Sequence, residues 1–212
     1  MKTISKCIFA ISAALAWSLS AFAVDSSALK PPAGAQVAIV MFEDMECPSC
    51  AFNFPVVEEA GKTHNIPVVL RDFPLGPKHP WSFEAAVFAR FFDTKSEKLG
   101  RDFRAYIFRN QPQIDPTNLH QYVQKFADDN KVPLPFAVDP EGKLKAKVDA
   151  DHDLGMRIGI NSTPSIFVVT NNGVQQVEKF DQLNQVIEDM QRKAGPATPA
   201  TPTRRAAKKK SS

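Results

Sequence analysis

Two cysteines separated by two residues, Cys47 and Cys50, are the side chains of this protein best suited to chemistry. Pro48 follows the first cysteine, and proline suits the first position of a helix because its missing N–H would have no helical partner there. Two thiols at a helix start can close and open a disulfide with little change in geometry. Cys7 is the other cysteine and lies in an N-terminal apolar run. The pair therefore predicts redox chemistry.

The position of the pair predicts different roles for the two sulfurs. The N–H groups and dipole at a helix start favour a negatively charged sulfur, and the thiolate is the form that attacks a disulfide. We expect Cys47 to be the nucleophile at the exposed tip of the helix. Cys50 lies one turn deeper on the same face and would be the resolving thiol. Ser49 would offer its hydroxyl and its N–H to the sulfur.

Three other uses of the cysteine pair are possible. A purely structural disulfide would close a very small loop and would stabilise the fold little. A haem attachment site would need histidine after Cys50, where Ala51 stands. A metal site would need two more ligands. We predict no metal, because the histidines are scattered: His64, His79, His120 and His152.

The first 23 residues are typical of a signal peptide. Lys2 and Lys6 precede an apolar run, and Ala21-Phe22-Ala23 resembles a cleavage site. The alternative is a membrane anchor, but the apolar run is short for a span of about 20 residues. We expect cleavage after Ala23 and export to the periplasm or an equivalent compartment, where disulfides persist.

Charge is unevenly distributed along the chain. Residues 24–193 hold 19 basic and 23 acidic side chains, a balance that gives no indication of nucleic-acid binding. The predicted tail, residues 194–212, is rich in proline and carries five positive charges. It lacks the apolar residues needed for a core, so we expect disorder. Binding of the tail to an anionic surface is a second possibility.

Hydrophobic patterns predict an α/β sandwich with a helical insertion. Strands are expected at 36–42, 66–71, 165–170 and 174–180. Helices are expected at 47–61, at several places within 80–158, at 149–159 and at 182–193. Gly61 is the expected C-terminal cap of the first helix, and Asp181 is the expected N-terminal cap of the last. One-sided aromatic stripes in the middle helices indicate core packing. The predicted domains are residues 24–79 with 159–193, and the inserted helices 80–158.

Thr163-Pro164 is the second notable motif, directly before a predicted strand. A proline at a strand start is usually only part of a turn. Here it lies far along the chain from a redox pair and at an edge of the same expected sheet. The combination predicts a cis bond that brings this backbone beside the sulfurs.

With these motifs together, the chain resembles the thioredoxin superfamily, and is most similar to its DsbA-like branch, in which a helical domain interrupts the thioredoxin fold. The resemblance covers about residues 36–190. Its matching segments are Phe42-Glu43-Asp44, Cys47-Pro48-Ser49-Cys50, Pro55, Arg71-Asp72-Phe73-Pro74-Leu75, His79-Pro80, Glu84-Ala85-Ala86, Gly159-Ile160, and Thr163-Pro164-Ser165 leading into Ile166 and Phe167.

The resemblance implies a protein disulfide oxidoreductase that needs no dissolved cofactor. Cys47 would attack, Cys50 would resolve, Pro164 would be cis, and the Thr163–Pro164 backbone would pair with an extended substrate. Substrates would be reduced or unfolded exported proteins, and a membrane thiol oxidase or reductase would be the redox partner. We expect an oxidase and a monomer. The alternatives are a reductase or isomerase of the same fold, or a non-catalytic envelope binding protein or metal carrier.

Two positions depart from the family pattern. Many thioredoxin-fold proteins bury an acid six residues before the first cysteine, where this chain has Met41. The route by which Cys50 loses its proton is therefore open, although Glu43, Asp44 and Glu46 are close in sequence. Strongly oxidising members place histidine between the cysteines, where this chain has Ser49. Weaker thiolate stabilisation would leave the direction of electron flow open.

Overall fold

Residues 28–195 are described by a computed structural model and form one four-stranded sheet with helices on both faces. The predicted leader, its cleavage after Ala23 and the basic segment 196–212 lie outside these residues. Between residues 28 and 195, no helix is both long enough and apolar enough to cross a bilayer.

The strands lie in the order β2-β1-β3-β4 across the sheet. Their bounds are β1 Val37–Glu43, β2 Val68–Asp72, β3 Ser165–Thr170 and β4 Val174–Gln176. β1 pairs parallel with β2 and antiparallel with β3, and β3 and β4 form a hairpin. β1 and β3 are buried along their whole length, as their continuous apolar sequences predict.

Six α-helices within residues 28–195 surround the sheet, and four of them lie between β2 and β3 in the chain. They are α1 Pro48–Thr63, α2 Ser82–Asp93, α3 Glu97–Asn110, α4 Leu119–Asp129, α5 Lys143–Arg157 and α6 Leu183–Ala194. The mixed α/β class and the helical block after the second strand are therefore confirmed.

Two apolar cores cover the two faces of the sheet. Ile39 and Met41 of β1 face the larger core, which contains side chains of α1, α6 and the middle helices. Val40 and Phe42 face a smaller core against the end of α5. The aromatic stripes belong to the larger core, where Phe92 and Phe103 pack with ring centroids 4.7 Å apart. Core packing of these aromatics is confirmed.

Both predicted helix caps are wrong. α1 continues through Gly61, where a β-carbon would lie 2.5 Å from Val68 Cγ2, so glycine there permits close packing on β2. A 3-10 turn, Phe180–Gln182, precedes α6, and the residue before the helix is Gln182 rather than Asp181.

Two predicted bounds differ from the structure by four residues or more. α5 begins six residues earlier than expected, because Asp139 accepts hydrogen bonds from the Leu144 and Lys145 N–H groups at its start. β4 ends at Gln176, four residues early, because the chain then turns Val177 into the larger core.

Candidate active site

The two cysteines lie where β1 passes into α1. Cys47 is the residue that precedes the helix, Cys50 lies in its first turn, and the two are not bridged. Pro48 and Ser49 between them are exposed. Cys47 is only 6% exposed and Cys50 is fully buried. The expectation of an exposed Cys47 tip is therefore wrong, because the residues around its sulfur cover most of it.

Thr163 and Pro164 lie directly before β3, and the peptide bond between them is cis. The antiparallel register pairs Ser165 with Phe42, which brings the start of β3 to the end of β1 that carries the cysteines. Cys47 Sγ lies 3.4 Å from the Thr163 carbonyl oxygen, within reach of a hydrogen bond when the sulfur is protonated. Residues 116 positions apart in the sequence are thus in contact at the candidate site.

The pKa of Cys47 is lowered from 9.0 to about 5. The largest cause is the Cys50 thiol, which donates a hydrogen bond to the Cys47 sulfur. Burial opposes this effect, while Thr163 and then the N–H groups of Cys50 and Ser49 lower the pKa further. The Ser49 hydroxyl instead lies 3.4 Å from Asn53 Nδ2, so Ser49 contributes through its backbone. At neutral pH, Cys47 is therefore a thiolate.

Cys50 has the opposite character. Burial raises the pKa of its thiol far above the usual range, and the neighbouring Cys47 raises it further. The backbone N–H of Asp44 lies 3.4 Å from Cys50 Sγ and lowers the pKa. The arrangement holds a thiolate at Cys47, the form that attacks a disulfide, and a thiol at Cys50, which must lose its proton before it can attack.

The loop from Asp44 to Cys47 is fixed by the Asp44 side chain, whose Oδ1 accepts from the Glu46 N–H at 2.7 Å. Oδ2 accepts from the Leu75 N–H at 2.6 Å and lies 2.9 Å from His79 Nδ1. A single buried carboxylate therefore connects the cysteine loop to the segment between β2 and α2.

The helical insertion holds the same loop from other sides. Gln111, directly after α3, donates from Nε2 to the carbonyl oxygens of Met45 at 2.8 Å and Cys47 at 3.1 Å. Glu46 accepts from the Trp81 N–H at 2.9 Å, just before α2. Burial raises the pKa of Glu46, and the Trp81 hydrogen bond opposes the rise.

A buried acid lies near the cysteines, but it is Glu43 and not residue 41. Met41 is fully buried in the larger core. Glu43, two residues further along β1, accepts from Arg104 Nε at 2.9 Å. Burial raises the pKa of Glu43 to about 8 against the opposing effect of Arg104. Its Oε2 is buried without a hydrogen-bond partner among the described residues.

Sequence reasoning noted the three acids before Cys47 but could not give their contacts. His79 belongs to a matching family segment, although nothing in the sequence indicated its partner Asp44. Gln111 and Arg104 gave no signal, since an isolated glutamine or arginine on a helix is usually exposed. The described residues contain no group of three or more His, Cys, Asp or Glu able to hold a metal ion.

Comparisons with known proteins agree with this geometry. A family model described as thioredoxin matches residues 32–189, about three quarters of the chain. No curated protein sequence matches the chain.

Solved structures of DsbA-type proteins share the fold. A variant of Wolbachia pipientis alpha-DsbA1, in which two cysteines are replaced by alanine, is 17% identical with a TM-score of 0.65, over 80% of this chain and 96% of that one. Pseudomonas aeruginosa DsbA2 is 20% identical with a TM-score of 0.54, over 77% and 93%. Wolbachia pipientis alpha-DsbA2, named a thiol-disulfide exchange protein, is 15% identical with a TM-score of 0.59, over 76% and 86%. The predicted thioredoxin fold with a helical insertion is confirmed.

Proposed function

Because this chain belongs to the thioredoxin family, we propose that it is a thiol–disulfide oxidoreductase that exchanges a Cys47–Cys50 disulfide with cysteines of exported proteins, acting as an oxidase. The observation that carries the proposal is the pairing of a Cys47 whose pKa is lowered to about 5 with a fully buried Cys50. The helices inserted at 80–158 contribute Gln111, which holds the Cys47 carbonyl oxygen.

Oxidation of a substrate takes place in two exchanges. A substrate thiolate attacks Cys47 Sγ, the Cys47–Cys50 bond breaks, and its electron pair remains on Cys50 Sγ. A second substrate thiolate then attacks the substrate sulfur of the mixed disulfide, and Cys47 leaves as a thiolate. The substrate gains a disulfide and loses two protons and two electrons, and the electrons remain on the reduced Cys47–Cys50 pair.

The stability of the Cys47 thiolate supports the oxidising direction. A low thiol pKa makes Cys47 a good leaving group in the second exchange and stabilises the reduced protein, which makes the disulfide a stronger oxidant. Strong oxidants of this fold lie near about −120 mV and reductants near about −270 mV. We expect a potential in the oxidising half of this range. A potential near the reducing end would support the reductase alternative instead.

The substrate proposal rests on the same site. The Thr163–Pro164 backbone borders Cys47 Sγ and would pair with an extended chain that presents its cysteine, as in strand addition. Export is supported by the leader-like residues 1–23. A membrane thiol oxidase would accept the two electrons and restore the disulfide after each cycle.

Refolding of a reduced protein that requires disulfides tests the proposal. The oxidised protein should accelerate regain of substrate activity, while Cys47→Ala should give the uncatalysed rate. Equilibration with glutathione buffers, followed by mass, gives the potential of the same sample. Equal refolding rates with and without Cys47 would reject the enzyme assignment.

A further inference from the structure

Asp44 is a fully buried acid whose partners are not arginine or lysine. Among the described residues, its carboxylate contacts the N–H groups of Glu46 and Leu75 and one ring nitrogen of His79. Removing a carboxylate from water costs several kcal/mol unless hydrogen bonds replace the water. A buried carboxylate bonded mainly to backbone therefore fixes the two loops that supply those N–H groups.

The backbone of the same residue contacts both cysteines. The Asp44 carbonyl oxygen accepts from the Cys47 N–H at 3.0 Å. Its own N–H points at Cys50 Sγ at 3.4 Å. Since the side chain of Asp44 is held at both oxygens, its peptide group cannot turn away from the sulfurs without losing the bonds to Glu46 and Leu75.

We propose that Asp44 is a positioning residue for exchange at Cys50: its carboxylate, held by the Glu46 and Leu75 N–H groups and lying 2.9 Å from His79 Nδ1, keeps the Asp44 N–H aimed at Cys50 Sγ. The inference rests on the proposed thiol–disulfide exchange. His79 acts with Asp44, because its Nδ1 lies on the oxygen that also accepts from Leu75.

The chemistry explains why this N–H matters for one sulfur only. When a substrate thiolate attacks Cys47 Sγ, the electron pair of the broken bond passes to Cys50 Sγ, which is buried away from water. In the reverse direction, the Cys50 thiolate attacks Cys47 Sγ and the substrate sulfur leaves with its electron pair. Cys50 carries a negative charge at the end of the first step and at the start of the second, and the Asp44 N–H is a donor aimed at that charge.

The step in which Cys50 attacks can be measured alone, by following closure of the Cys47–Cys50 disulfide in protein that carries glutathione on Cys47. Reduced protein is mixed with oxidised glutathione, which forms a mixed disulfide on Cys47, and release of glutathione by Cys50 is followed by rapid acid quench and mass. Asp44→Asn replaces one carboxylate oxygen with an NH2 group, which cannot accept a hydrogen bond from a backbone N–H. We expect release to slow about three- to tenfold, since a hydrogen bond to a charged sulfur is lost and about half of its effect reaches the rate.

Alkylation of Cys47 by iodoacetamide is the companion measurement, and we expect it to change less than twofold. Asp139→Asn is the matched control, because Asp139 also accepts two backbone N–H groups but contacts neither cysteine. His79→Ala should slow release in the same selective way, and His79→Asn, which keeps a polar side chain near Oδ2, should restore it. The two His79 variants also test the proposal if Asp44→Asn does not fold.

The outcomes separate this inference from the proposed function. If the unaltered protein forms the mixed disulfide but never releases glutathione, the exchange activity itself is rejected. If it releases glutathione and the Asp44 and His79 variants release it equally fast, the positioning role alone is overturned. If a variant slows alkylation and glutathione release by the same factor, the substitution has loosened the whole site. That result would also overturn the positioning role.

Discussion

Cys47 and Cys50 are three residues apart on one helix, yet their surroundings shift their acidities in opposite directions. The lowered pKa of Cys47 comes first from a thiol donor, then from Thr163 and only then from the amides of the helix start. The sequence indicated those amides as the main source. The structure shows that the partner cysteine contributes more, because it is close, buried and protonated.

The rate of Cys47 alkylation should therefore depend on Cys50. In reduced protein, we expect the rate with iodoacetamide to be half-maximal near pH 5, well below the ordinary cysteine value of about 8.5. Cys50→Ala should move the midpoint to higher pH because it removes the principal donor. Mass spectrometry of samples quenched across the pH range gives both midpoints.

Ser49→Ala is the control for this measurement. Ser49 acts on Cys47 through its backbone N–H, which alanine keeps, so the midpoint should stay near pH 5. An unchanged midpoint in Cys50→Ala would contradict the order of causes and return the main role to the helix start.

At the scale of elements, a buried charge network joins the sheet to the helical insertion. Arg104 of α3 contacts Glu43 of β1, Asp72 of β2 and Asp93 of α2. Arg90 of α2 adds contacts to Asp72 and, at 2.5 Å, to Asp151 of α5. The network thus holds together five elements, including the strand that leads into the cysteine loop.

Removal of one charge from this network should be costly. Arg104 is only 1% exposed, so Arg104→Ala leaves three acidic side chains without their shared partner. We expect a loss of about 3–5 kcal/mol in the free energy of unfolding. Urea unfolding followed by circular dichroism provides the measurement.

An exposed ion pair gives the comparison for Arg104. Lys98 pairs with Asp102 on the surface of α3, with its side chain 84% exposed, so Lys98→Ala should change stability by at most about 0.5 kcal/mol. Equal losses in the two variants would show that the network contributes no more than a surface pair.

The elements themselves were largely predictable, whereas their long-range contacts were not. The strand at 165–170 was predicted to the residue, because its run of β-branched and aromatic side chains is bounded by Pro164 and Asn171. Glycine at position 61 is typical of a helix end, but here it lets Val68 approach the helix closely. No local sequence pattern indicates that contact. Arg104 lies on an amphipathic helix beside Phe103, and periodicity could not show that its partner is Glu43.

At the scale of the whole molecule, the candidate site combines residues from distant parts of the chain. Cys47 contacts Thr163 from the second half of the chain and Gln111 from the insertion. Because the Cys47 thiolate depends on folded neighbours, folding and redox state are linked. The pKa of Cys47 is about 5 in the folded protein, and its reference value is 9.0. Between pH 5 and pH 9, the unfolded reduced chain therefore binds more protons than the folded one.

The stability of the reduced protein, measured against the oxidised protein, should therefore depend on pH. The contribution of Cys47 is lost as the pH falls through about 5 and grows as the pH rises toward 9. We expect the unfolding equilibrium constant of the reduced form to fall relative to that of the oxidised form between pH 5 and 8, by at most about tenfold per pH unit.

Paired urea titrations of the two redox forms from pH 4 to 8 provide the measurement. Glu43 titrates in both forms, so the comparison cancels its effect to first order. The difference between the forms should be smallest at pH 4. A difference that does not change with pH would contradict the link between the Cys47 thiolate and folding.

β4 spans only Val174–Gln176 and lies at one edge of the sheet. In the proposed function the protein would meet unfolded polypeptides, and an open strand edge is a template for further hydrogen bonding. Three residues provide too short a ladder for a foreign strand to remain attached. Under the proposed function, this short strand would limit the growth of aggregates from the β4 edge.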